Sequence, residues 1–567
     1  MKTRTLIIED QDAVAVAIEH QLQQTRYHGQ ADICRNATMA LSRISAARKD
    51  PYDLILCDYN LGECTDGQQL LEYLRSEHLI PRKTAFIMLT AEASYARVAS
   101  AVELAPDAYL LKPFTLDGLA QRVEYAMDKR AALKAPCAFL DLDQPDYPAA
   151  IKACNAIILE GKRFSLDGLK LKAECLIHQA QWGEAAAVYD KIIAWRPTPW
   201  AEVGRARTLR LMGHPGLADK KLLHTIEEFP QFVAAYDELA ALAEENDDPK
   251  LAQEILEKAH AIVPSNRRTR GLGLLALQNG DLDKAAEFLK IVTERDRYGL
   301  KRSTEDFFAL ARAQRSLKRP EHAMATLDSL KDHFPETRPL TVRKMAAEAL
   351  VLFAANRPFD AKKKVRDALE LRHEQMEPRT QLELAEACYV CGERNQAEKL
   401  FVHVAENWQE DSKVFKQVKE TMSRVGLGEA GNDLLAESTR ELIKINNTAA
   451  AQIKKGEFEQ AVNNMEKVAK RLLHHATVQA NYVQSILLWV EHNCPKNIKD
   501  LPIHSKPRKY IATAREHLRQ LASIDDKHPR LSSLQRLFAK LTGETQATHD
   551  VENFDASQEP ASMESGG

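Results

Sequence analysis

Four short apolar runs punctuate the first 115 residues, and each stops on a side chain that carries chemistry. Leu6-Ile7-Ile8 leads into Glu9-Asp10, Leu54-Ile55-Leu56-Cys57 into Asp58, Phe86-Ile87-Met88-Leu89 into Thr90, and Ala108-Tyr109-Leu110-Leu111 into Lys112-Pro113. Runs this short and continuous predict strands covered on both faces. The intervals between them show helical spacing, as at Leu70, Leu71 and Leu74 or at Val98, Val102 and Leu104. Strand and helix alternating at this length predict an α/β doubly wound parallel sheet. From Tyr147 onward the pattern is helical, with no strand alternation.

That helical stretch repeats itself. Ala185, Ala218, Ala252 and Ala285 recur at intervals of 33, 34 and 33 residues, and Ala323, Ala361 and Ala397 extend the series at 38, 38 and 36. Twelve residues before each stands a small residue, from Ala173 and Ala206 to Gly273 and Ala385. Four residues after each stands a large apolar one, such as Tyr189, Leu222, Leu289 or Phe401. Small residues let the two helices of a unit approach, and the large one fills the gap to the next unit. Pairs that cannot bury an apolar face alone must stack. A period near 34 resembles the tetratricopeptide repeats (TPR). Seven units are readable from about Ser165 to Trp408, preceded by a helix near 147–161, with Ala430 and Ala461 marking two less regular ones.

In an open parallel sheet, ligands sit beyond the carboxyl ends of the strands. That edge gathers Glu9, Asp10, Asp58, Thr90 and Lys112. Three carboxylates in one pocket repel each other and are costly to bury uncompensated. A divalent cation removes the conflict, and an all-oxygen ligand set with room for water suits magnesium. A carboxylate nucleophile beside magnesium, with Lys and Thr to hold phosphoryl oxygens, points to aspartyl phosphate chemistry.

With these residues in this order, 1–130 resembles the receiver domain of two-component response regulators and is similar to the single-domain, CheY-like chemotaxis receivers. The resemblance implies a flavodoxin-like fold in which Asp58 accepts a phosphoryl group from a sensor histidine kinase. It implies that Asp10, Asp58 and the backbone carbonyl of Asn60 ligate Mg2+, with Glu9, where the family more often has Asp, acting through water. It implies Lys112 as the phosphate-binding lysine, Thr90 and Tyr109 as a switch pair, and a cis Lys112–Pro113 peptide. Asn60 and Glu92 fall at the positions that tune dephosphorylation in that family.

The chain's 567 residues exceed one core, and the expected order is receiver 1–130, linker 131–145, an all-α TPR superhelical solenoid 146–475, a helical cap 476–541 and a disordered acidic tail 542–567. A net charge of −3 makes no global demand for nucleic acid or an anionic membrane. Nine scattered cysteines and no apolar run of membrane-spanning length predict a cytoplasmic protein. The repeats show no nucleophile, metal cluster or phosphate loop, so the expected catalysis is the receiver's own phosphoryl transfer and autodephosphorylation. Stacked repeats present a concave face that binds proteins or peptides. Its inward positions include Trp200, Arg207, Arg210, Arg267 and Arg270, either as a site for an acidic partner segment or as solvated helix faces. The output is then a protein–protein contact, with two alternatives. One is nucleic-acid binding through the basic patch Lys506-Pro507-Arg508-Lys509, and the other is a phosphate sink tethered by the repeats.

Overall fold

The computed structural model describes residues 3–61, 66–91, 106–161, 163–295, 302–372, 376–494, 498, 501–502 and 504–543. Glu92, Val98, Val102, Leu104 and the acidic tail lie outside them. The chain divides into two compact units, Met1–Pro335 and Glu336–Gly567.

The first unit opens with five parallel strands in the order β2-β1-β3-β4-β5. They are β1 (Thr5–Ile8), β2 (Ala31–Cys34), β3 (Leu54–Asp58), β4 (Ala85–Thr90) and β5 (Ala108–Leu111). Helices α1 (Asp12–Gln23), α2 (Ala37–Ala46), α3 (Gly67–Ser76) and α4 (Leu116–Ala132) cover the sheet. Alternate strand residues feed two separate cores. Leu6, Ile8, Ile55, Cys57, Phe86 and Met88 pack on one face, and Ile7, Leu54, Leu56, Ile87, Leu89 and Leu110 on the other. This two-sided burial explains the unbroken apolar runs. Strand β2 was not legible as such a run because it is an edge, with only Cys34 buried. Its Asp32 instead accepts a 2.6 Å hydrogen bond from the Tyr52 hydroxyl.

The stretch 131–145, expected as a linker, contains a helix, Lys134–Leu140. Pro136 sits in its first turn, where no intrahelical N–H bond is lost. Leu133, Cys137 and Leu140 share a core with Ala150, Cys154, Leu171 and Cys175 of the first repeat helices. Lys129 of α4 also pairs with Asp167 at 2.9 Å, and the Arg163 guanidinium lies over the rings of Tyr125 and Phe164. The last receiver helix thus touches the first repeat helices directly, through Lys129 and Tyr125.

Helix pairs follow, beginning with Ser165–His178 and Trp182–Trp195, then Pro199–Leu211 and Pro215–Glu228, Val233–Glu245 and Pro249–Ile262, and Asn266–Asn279 and Leu282–Arg295. The marker alanines are buried without exception from Ala185 to Ala397. Gly273 works as the spacing suggests, since a Cβ there would stand 2.7 Å from Leu289 Cγ. Gly204, outside the spaced series, also makes room, as a Cβ there would stand 2.4 Å from the Tyr189 ring. First helices also pack on first helices, as Pro199–Leu211 does on Val233–Glu245.

The second unit continues with pairs Arg338–Ala354 and Pro358–Leu371, then Pro378–Val390 and Arg394–Asn407. Regularity fails at Ala430, which is exposed on a 27-residue helix, Gly428–Lys454. Gly431 takes the packing position instead, where a Cβ would be 2.9 Å from Met422 Cε. Ala461 is buried as its spacing suggests. Helices Ala476–Asn493, Lys506–Ile524 and Leu531–Thr542 close the unit around Tyr482, Ile486 and Leu521. No described helix is long and apolar enough to cross a membrane.

One contact in this second unit is expected to respond to acid. Glu410 accepts hydrogen bonds from the N–H groups of Ala476 and Thr477 and from the Thr477 hydroxyl, at 3.0, 3.2 and 2.6 Å, and lies 3.3 Å from His475. Burial opposes its charge, but the nearby His475 and the bonds from Thr477 outweigh it and hold the carboxyl down at about 2. An ordinary glutamate titrates near 4.5, so the contact stabilises the fold above that pH and is lost as pH falls toward 2. Glu410→Gln is expected to flatten the fall in melting temperature between pH 4.5 and about 2. Parallel melting curves for the two proteins would remove Glu410 from that role.

Candidate functional site

The strand order reverses direction between β1 and β3, and that crevice is where an open α/β sheet binds its ligands. Glu9 and Asp10 follow β1, and Asp58 ends β3, whose Cys57 pairs in register with Ile8. Carboxylate oxygens of Glu9, Asp10 and Asp58 all lie within 4.8 Å of one another. Lys112, just past β5, reaches across the sheet to place its Nζ 2.6 Å from Glu9 Oε2 and 2.9 Å from Asp58 Oδ2. Thr90 is buried at the end of β4, and its carbonyl accepts the Lys112 N–H at 2.7 Å. The Lys112–Pro113 peptide is cis. The fold thus brings Glu9, Asp10, Asp58 and Lys112 together, with Thr90 at the end of the neighbouring strand.

Glu9 is fully buried, and burial raises its carboxyl above the usual range despite the hydrogen bond from Lys112. Burial also works to lower the Lys112 ammonium, yet its hydrogen bonds to Glu9 and Asp58 prevail and hold it above its usual value. The other Glu9 oxygen, Oε1, is buried with no hydrogen-bond partner among the described residues. One ammonium against three carboxylates, with an orphaned oxygen beside them, is a donor set that fits a hard divalent cation. Asn60 is exposed two residues beyond Asp58.

The described residues on either side of 62–65 are tied to the sheet and to each other. Tyr59 N–H donates to the Leu89 carbonyl and Gly67 N–H to the Tyr59 carbonyl, both at 2.8 Å. A Cβ on Gly67 would come within 2.3 Å of the Asp58 carbonyl oxygen, so only glycine lets α3 start there. Asp66 caps α3 through a reciprocal box with Gln69, and burial pushes its carboxyl up to about 6. The Tyr109 hydroxyl is buried with no partner among the described residues, and burial raises its ionisation.

The chain matches the response regulator receiver domain over residues 5–124. It is 31% identical over 172 residues to the transcriptional regulatory protein PcoR of Escherichia coli, covering 30% of this chain and 72% of that protein. The chain belongs to the response regulators. This response regulator is also 27% identical over 123 residues to the probable chemotaxis protein CheY of Rhizobium etli, covering 22% of its own length and 91% of the relative's. Among solved structures, a tetratricopeptide repeat protein from Parabacteroides merdae aligns with 46% of this chain and 98% of its own at 14% identity and a TM-score of 0.29. The reading of the repeats therefore rests on the regulator's own spacing and packing.

The inward-facing arginines of the repeats prove to be committed already. Arg207 and Arg210 both hold Glu238, at 2.9 and 2.8 Å, and Arg210 also pairs with Glu245. Arg267 lies 3.2 Å from Asp237, and Arg270 forks onto buried Asp306 at 2.7 Å. Each acid belongs to a neighbouring first helix, so these pairs tie successive repeats together. Lys506 of the basic patch is likewise engaged, pairing with Glu459 and lying over the Trp489 ring.

A feature that sequence reasoning missed lies between receiver and repeats. A cavity of about 610 Å³ has Tyr59, Gln68 and Glu72 on its receiver wall and Trp200, Arg207 and Arg268 on its repeat wall. Trp200 stands edge-on to Tyr189 with the Lys170 ammonium 5.5 Å from its ring centre. Nothing in the local pattern of α3 marks it as a wall facing another domain.

Proposed function

We propose that this response regulator takes a phosphoryl group onto Asp58 from a phosphohistidine of a sensor kinase. Its repeats, of tetratricopeptide type, then engage a protein partner. The observation that carries the first half is Lys112 bridging Glu9 and Asp58 beside Asp10. An Asp58 oxygen attacks phosphorus, the P–N bond breaks as the P–O bond forms, and the imidazole leaves with the electron pair. Lys112 is placed to exchange its Asp58 contact for a phosphoryl oxygen, and Thr90 stands at the neighbouring strand end to accompany it. Mg2+, when bound by Asp10, Asp58 and the Asn60 carbonyl with Glu9 behind, supplies charge neutralisation for the transferring group.

The cavity supports the second half. Its receiver wall starts at Tyr59, adjacent to the acceptor, so a partner segment seated against Trp200 also touches the receiver. Phosphorylation changes that wall and with it the fit. Pull-downs with wild type and Asp58→Ala, with and without acetyl phosphate, test this. A partner whose recovery responds to the phosphodonor only in wild type, and is lost in Trp200→Ala, is the expected result. Recovery indifferent to both would remove the cavity from the output.

Metal binding gives a separate check. Calorimetric titration should show Asp10→Ala losing at least as much Mg2+ affinity as the roughly 10–100-fold that loss of an outer-shell partner costs. Glu9→Gln should weaken it less. Equal affinities in all three proteins would reject the ligand assignment.

A further inference from the structure

The end of the second unit segregates charge. Residues 501–543 carry nine Lys and Arg against three acids, and residues 544–567 carry six acids with no Lys or Arg, so the two stretches are +6 and −6. Some of the basic groups are engaged: Lys540 pairs with Glu491 at 2.9 Å, and Arg530 donates to Asn481 at 2.6 Å. Arg519, Lys527 and Arg536 are exposed and have no ion-pair partner among the described residues. A groove of about 560 Å³ runs along helix Lys506–Ile524, lined by Ala512, Arg515, Glu516, Arg519, Gln520 and Ser523. The Arg515 guanidinium lies over the Phe538 ring, 5.5 Å from its centre. Phe538 belongs to helix Leu531–Thr542, which Gly543 caps in the left-handed conformation. The rise from Phe538 to that cap is only about 7 Å, so the chain beyond Gly543 starts beside the groove.

We propose that residues 544–567 occupy this groove of their own chain and withhold it from other anionic molecules. Reach is ample, since a chain of this length can extend to roughly 80 Å. Tethering holds the acids at an effective concentration in the millimolar range, where a weak contact is populated. Arginine suits the role because its guanidinium takes carboxylates in a bidentate fork. Asp550, Glu552, Asp555 and Glu559 bracket Phe554 at spacings of two to four residues, an order that offers the groove both charge and an apolar body. Glu516 in the groove opposes the contact and keeps it reversible. The interaction is screened beyond about 8 Å at physiological salt, so it weakens as salt rises.

Heparin serves as the probe polyanion, with the full chain as the protein. A variant with all six tail acids changed to their amides (Glu544→Gln, Asp550→Asn, Glu552→Gln, Asp555→Asn, Glu559→Gln and Glu564→Gln) should bind heparin about tenfold more tightly than wild type at low salt. Adding Arg515→Glu and Arg519→Glu to both backgrounds should collapse that difference. Carbodiimide crosslinking should also join tail carboxylates to the exposed Lys509 within one copy. Equal heparin affinity of wild type and amide variant would overturn the proposal. So would a difference that survives the two arginine changes, because the tail then acts through net charge alone. Crosslinks found only between isotopically distinct copies would overturn the intramolecular assignment.

Discussion

With magnesium and acetyl phosphate, the wild-type chain is expected to gain one hydroxylamine-sensitive phosphoryl group, and Asp58→Ala to gain none. Asp58→Asn keeps the side chain's shape and should behave as Asp58→Ala does, which separates loss of the nucleophile from loss of packing. The reason is local. Asp58 lies 2.9 Å from Lys112, shares the carboxylate cluster with Glu9 and Asp10, and ends a strand whose register against β1 and β4 fixes its position. Lys112→Ala retains Asp58 but removes the ammonium that, on the proposed mechanism, would hold the transferring oxygens. Labelling should then slow by on the order of 10²-fold, as when one charge-stabilising donor is lost. Intact-mass spectra read both effects. Full labelling of Asp58→Ala would place the acceptor elsewhere.

The second large effect concerns the repeats. Leu289 is fully buried in helix Leu282–Arg295, against the space where Gly273 of helix Asn266–Asn279 lacks a Cβ. Leu289→Ala should cost about 2–5 kcal/mol, the range for emptying a buried leucine site. Gly273→Val should cost about 1–3 kcal/mol by overpacking, because backbone as well as side chain of Leu289 stands within 3.3 Å of the added carbon. The double variant fills part of its own cavity and should be more stable than the two losses added together, by roughly 0.5–3 kcal/mol of coupling. A chain of two compact units need not unfold in one step, so the ranking of melting midpoints is the readout. Strict additivity would show that the two positions do not meet.

Local pattern determined a good deal of this. A strand covered on both faces must be continuously apolar, and its chemistry must wait for its end, so Asp58, Thr90 and Lys112 could be read as strand-end residues. Repeats that stack need small residues where helices cross, so the alanine spacing carried the helix-pair architecture from Ala185 to Ala397. Tertiary structure decided the rest. Strand β2 exists because an edge position tolerates Asp32 once Tyr52 and Arg43 are beside it. Helix Lys134–Leu140 exists because cysteines and leucines from three helices close a core over it, turning a proline-bearing spacer into a junction. The inward arginines are ties between repeats because their acids stand about 30 residues away, at Glu238, Asp237 and Asp306, a separation that no local periodicity encodes. The cavity between Tyr59 and Trp200 arises only where the receiver meets the repeats, since neither wall alone encloses it.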